Sequence, residues 1–175
     1  IKSFDEVLKL NENAELAYFY KGICYHSLNK TDEAFENYTN AIKLNKNMVD
    51  AYFNRGQLLF KTNPKQALDD FVSAVALDSK FIDAYYSIAA IQKNLGQYKE
   101  AIESFNKTIE LEPENDNHYY WLGNTYYKIC DYEEAIKYLS KAIEINQNSS
   151  INYKWLGMAY YTIEKYKEAS ENLLK

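Results

Sequence analysis

The sequence predicts an all-α protein assembled from a repeated pair of helices, and three observations predict it. Glycine and proline number only 5 and 2 in 175 residues, too little turn punctuation for an all-β chain. Small residues recur at Gly22, Gly56, Ala89, Gly123 and Gly157, at intervals of 34, 33, 34 and 34. The alanines Ala34, Ala67, Ala101, Ala135 and Ala169 follow with the same four intervals. Self-similarity at such a period signals a stack of supersecondary units.

The first helix of each unit is read from what flanks its small residue. Four positions before it stands a tyrosine in every unit, Tyr18, Tyr52, Tyr85, Tyr119 and Tyr153. Three positions after it come Tyr25, Leu59, Gln92, Tyr126 and Tyr160. Steps of four and three return to one helical face, so a stripe of large residues is interrupted by a small one. The second helix runs from its alanine to a large residue four later (Tyr38, Phe71, Phe105, Leu139, Leu173), then to Ala41, Ala74, Thr108 or Ala142. Large residues facing small ones let two antiparallel helices approach and interlock. Gly56 and Ala67 are 11 apart where the other units have 12, so one residue is missing between them. The turn signal Thr62-Asn63-Pro64 lies there, where chain length varies at little cost.

Composition narrows the function. The formal charge is −5, lysine outnumbers arginine 19 to 1, and no uninterrupted apolar stretch approaches the roughly 20 residues of a bilayer-spanning helix. Neither a membrane span nor general nucleic-acid binding is expected. Cys24 and Cys130 lie 106 apart beside only two histidines, so neither a disulfide framework nor a metal site is indicated, and both cysteines read as small packing residues. His26 and His118 have no nucleophile or carboxylate at a recurrent spacing, and the pairs Asp69-Asp70 and Glu133-Glu134 read as solvated faces. No Gly-rich phosphate loop occurs, so neither an enzyme nor a cofactor is expected. The abundant asparagine reads as compositional bias.

The pattern Tyr119-x2-Leu122-Gly123-x2-Tyr126 with Ala135-x3-Leu139-x2-Ala142, and Pro113 closing the preceding unit, resembles the tetratricopeptide repeat. Units then run over 15–48, 49–81, 82–115, 116–149 and 150–175, with 1–14 the second helix of a preceding unit carrying Phe4 and Leu10 at the matching offsets. Gln92, Ala89 and the single closing proline depart from the family pattern. The resemblance implies a right-handed superhelical solenoid of antiparallel helix pairs. Neither end carries a polar capping helix, so a fragment of a longer array is expected. A cytoplasmic setting is also expected.

What the resemblance implies about binding can be transferred by offset. Groove-facing offsets 2, 5, 6, 9, 12 and 13 select, as candidate partner-binding residues, Phe19, Tyr20, Phe53, Asn54, Gln57, Phe60, Tyr86, Tyr120, Trp121, Asn124, Tyr127, Lys154, Trp155 and Tyr161. Aromatic side chains offer large contact area at low entropy cost, so a concave aromatic groove holding a peptide segment or partner protein is the expectation. Burial of the same rings between helices is the competing account. Lys61, Lys93, Lys128 and Lys154 against Asp50 and Asp83 make these offsets mildly basic. The carboxylate clamp of chaperone-tail receptors is absent, because its offsets read Phe19, Ile23, Asn54, Asp83 and Ser87. An asparagine ladder fails too, since only Asn54 stands at its offset. The alternative to a binding module is a scaffold or spacer, with end-to-end self-association through open apolar ends. RNA binding by aromatic stacking is disfavoured by the acidic balance and the lone Arg55.

Overall fold

A computed structural model describes all 175 residues. Eleven helices follow one another without a strand: α1 (Lys2–Leu10), α2 (Glu15–Ser27), α3 (Thr31–Leu44), α4 (Val49–Leu59), α5 (Pro64–Leu77), α6 (Ile82–Asn94), α7 (Tyr98–Leu111), α8 (Asp116–Lys128), α9 (Tyr132–Ile145), α10 (Ser150–Thr162) and α11 (Tyr166–Leu173). Antiparallel pairs repeat along the chain, the architecture of a repeat solenoid. Two compact units are distinguished, Ile1–Ile88 and Ala89–Lys175, with their boundary inside α6.

Within the first unit α2 packs on α3, α3 on α4, and α4 on α5. Fully buried Tyr38 and Ala34 join Phe19, Ala41, Ile42 and Ala51 in its core, flanked by Tyr18, Ile23, Tyr25 and Tyr52. The small residue of each first helix is small for a steric reason. A Cβ on Gly22 would lie 2.7 Å from the Tyr38 ring, and one on Gly56 would lie 2.8 Å from Phe71. Arg55 on α4 ties three helices together. Its Nε donates to Asp70 Oδ2 at 2.9 Å and its terminal nitrogens to Asp70 Oδ1 at 2.6 Å and Thr39 Oγ1 at 3.1 Å. The Asp69-Asp70 reading is therefore corrected for one partner: Asp69 is exposed, but Asp70 is buried because the guanidinium satisfies both of its oxygens.

The second unit repeats the arrangement with α7 against α8, α8 against α9, α9 against α10 and α10 against α11. Gly123 faces Leu139 and Gly157 faces Leu173, at 2.8 and 2.7 Å from a would-be Cβ. Tyr126 stacks on Tyr138 with planes 6° apart. At the matching place Gln92 accepts a hydrogen bond from Ser104 Oγ at 2.9 Å. A polar pair thus replaces an aromatic one, which is how the repeat tolerates its departure from the family pattern.

Two kinds of turn join the helices. Within pairs, Asn29, Gly96, Cys130 and Glu164 adopt positive φ of 57°, 75°, 63° and 63°. The next amide in each closes back onto the helix, as Lys30 N does on Tyr25 O at 2.9 Å. The α4–α5 connection has no left-handed residue: Asn63 N instead bonds Leu59 O at 2.8 Å, and Pro64 opens α5. Cys130 is therefore exposed at a turn, not a packing residue as the sequence reading had it. Between pairs, the side chains of Asn11, Asn45, Asp78 and Asn146 each accept the amide two residues on, at 2.9–3.2 Å. This corrects the compositional reading of asparagine, because a short carbonyl side chain closes these turns.

Candidate functional site

First helices lie side by side within each unit, α2 beside α4 and α8 beside α10. The wall each unit builds is described in turn.

In the first unit Phe19 is buried at 8 % exposure, its ring 6.1 Å from Tyr38, so it is core and offers little contact surface. Its neighbour Tyr20 is 48 % exposed and stacks on Phe4 of α1 at 6.0 Å. Adjacent positions on a helix point apart by about 100°, which explains the opposite fates of two aromatics side by side. Phe53 is half-buried between Phe71 and Phe81, with centroids 5.5 and 4.7 Å away, and Phe60 meets Phe71 edge-on. Together with Gln57, Asp83, Tyr86 and Ser87 they line an open cleft of about 390 Å³. Asn54 donates its amide to Asp50 O on its own helix at 2.7 Å, which occupies that donor.

The second unit carries several ring contacts. Tyr120 meets Trp121 at 4.9 Å, and Tyr127 meets Trp155 at 5.3 Å and Tyr132 at 5.3 Å, all edge-to-face. Edge-to-face geometry places the positive ring edge on the negative face of its neighbour. Burial pushes the Tyr120 phenol upward in pKa, and Trp155 opposes the shift. Tyr127 and Thr162 hydroxyls are 3.2 Å apart. Tyr161, 63 % exposed, leans on Tyr166 at 5.6 Å. Tyr127, Met158, Tyr161, Thr162 and Leu173 line a predominantly apolar cleft of about 270 Å³. Lys154 is exposed beside it on α10.

Asn124, expected on the groove surface, is buried at 3 % exposure, yet it still touches a wall residue. Its Oδ1 accepts from Lys93 Nζ at 3.0 Å, and the same ammonium lies 4.0 Å from the centre of the Trp121 ring. Burial first, and the Lys128 charge second, pull Lys93 down to a pKa of about 8. Lys93 was visible among the basic groove offsets, but nothing local marks it as special. Its setting is made by Trp121 and Asn124 on the following first helix.

The other titratable groups serve the fold. His118 is buried with Nε2 3.2 Å from Glu112 Oε2, and Asp116 Oδ2 accepts from Asn146 and Asn152 at 3.2 Å each. No group of three or more His, Cys, Asp or Glu side chains converges as a metal site, and no helix is long and apolar enough to cross a membrane.

Residues 22–63 match the tetratricopeptide-repeat family model, and residues 94–175 match the model for subunit 3 of the anaphase-promoting complex, or cyclosome. No curated protein matches the sequence. Among solved structures, a MamA protein is 23 % identical over 90 % of this chain and 87 % of its own, with a TM-score of 0.85. MamA from Desulfovibrio magneticus RS-1 is 20 % identical over 91 % of each chain, with a TM-score of 0.84. YrrB, described as a tetratricopeptide-repeat protein with an unusual peptide-binding site, is 20 % identical over 97 % of this chain and 88 % of its own, at 0.84.

Proposed function

Because the chain is a tetratricopeptide-repeat protein and such solenoids are protein-protein interaction modules, we propose that this one holds a peptide segment of its partner against the aromatic walls of its first helices. The observation that carries the reading is the exposure of large aromatic surface where packing does not demand it. Tyr38 and Tyr119, at structural offsets, are 0 % and 9 % exposed, whereas Tyr86 and Tyr120, on first helices inside the array, stay partly exposed on the walls. Rings held in place by neighbouring rings lose little further entropy on contact, which favours them as binding anchors. YrrB, alike in fold and described by its peptide-binding site, supports a peptide as the occupant.

The experiment is affinity capture from source-cell lysate with the parent and with Tyr86→Ala/Tyr120→Ala, after circular dichroism has shown equal helicity. Proteins retained by the parent and lost by the variant support the reading. Equal retention by both moves binding to another face. If neither retains a protein and mass rises with concentration, the scaffold reading takes its place.

A further inference from the structure

Resting on the peptide-binding reading, we infer that the wall of the second unit recognises an acidic side chain of an extended segment, seated on Lys93 and Lys128. Lys93 has one hydrogen-bond acceptor, Asn124 Oδ1, and a ring face below it. A lysine ammonium carries three N–H donors, and no carboxylate stands within ion-pairing reach of this one. A half-buried ammonium beside a second lysine is electrostatically incomplete, and a carboxylate from outside would supply the missing acceptor and cancel the repulsion.

Charge along the wall agrees. The second-unit part of α6 carries Lys93, α8 carries Lys128 and α10 carries Lys154. The single acidic residue on these segments, Asp116, is already engaged by Asn146 and Asn152. Most glutamates of the unit lie instead on α7, α9 and α11, and on α7 and α9 Glu110, Glu134 and Glu144 pair with lysines of their own helices. The partner side chain complementary to this wall is therefore acidic.

The test exposes the immobilised 175-residue chain to a degenerate heptapeptide pool, acetylated at the N-terminus and amidated at the C-terminus, and sequences what is retained. Enrichment of Asp or Glu in the retained peptides is expected. Lys93→Gln/Lys128→Gln should reduce the acidic enrichment about tenfold, while Lys93→Arg keeps it. Circular dichroism of each variant establishes folding. Acidic enrichment that survives the double substitution overturns the inference, as does enrichment confined to a pool with free C-terminal carboxylates. Peptides retained with apolar but no acidic preference overturn it while leaving the peptide-binding reading intact. No retained peptide overturns both.

Discussion

Gly22 and Tyr38 are shaped to each other: the fully buried tyrosine ring occupies the space a Cβ on Gly22 would need, 2.7 Å from that position. The fit leaves one flaw, because the Tyr38 hydroxyl is buried without a hydrogen-bond partner.

Tyr38→Phe should therefore stabilise the fold. Phe71 and Phe105 occupy the corresponding places in other pairs, so the ring itself is retained while an unsatisfied hydroxyl is removed, worth about 1 kcal/mol. Burial raises the Tyr38 pKa to about 12 from 10.0. The neutral phenol is favoured in the fold, so its contribution is complete below pH 10 and lost as pH rises from 10 to 12. Urea midpoints of parent and variant should diverge further across that window.

Arg55 and Asp70 should behave as a coupled pair. Arg55→Ala leaves the Asp70 carboxylate buried and unpaired, at a cost of about 3–5 kcal/mol. Arg55→Lys keeps the charge but loses the two-pronged contact, costing about 1.5–3 kcal/mol. A double-mutant cycle with Asp70→Ala, read by urea denaturation, should show strong non-additivity; additive effects would mean the pair carries no energy.

The left-handed turn residues give predictions of opposite sign. Gly96→Ala places a Cβ at φ 75° and should cost about 1 kcal/mol even though no atom lies in its way. Cys130→Gly and Glu164→Gly relieve the same strain and should gain a smaller amount, offset in part by the entropy of a freer unfolded chain. Thermal midpoints of the three variants, compared with the parent, order these effects.

Lys93 should make stability rise with pH. Its folded pKa of about 8 lies below the 10.5 of an exposed lysine, so between these values the unfolded chain binds more protons than the folded one. Stability then increases through that window, and Lys93→Gln should remove the increase. Trp121 fluorescence should titrate near pH 8 in the parent alone, since loss of the ammonium removes the cation from the ring face.

How much of this was legible depends on how local each feature is. The alternation of Gly22, Gly56, Gly123 and Gly157 with their large partners was readable, because both members of a pair belong to the same unit and recur at fixed offsets. The turn left without a left-handed residue was partly readable as a missing position, but its backbone conformation was not. Among the candidate site residues, Phe19 and Asn124 are buried, which their offsets do not reveal because burial depends on what packs beside them.

By itself the sequence determined the helix pair, its period and the small-to-large interlock, since a 3.6-residue helical period and a steric rule suffice to read them. Only the tertiary structure decided that Asp70 is buried against Arg55, that Phe19 is buried against Tyr38, and that Lys93 sits over Trp121 without a carboxylate. Each of those depends on a side chain from another helix, and the distance between such residues along the chain carries no signal of their contact in one sequence.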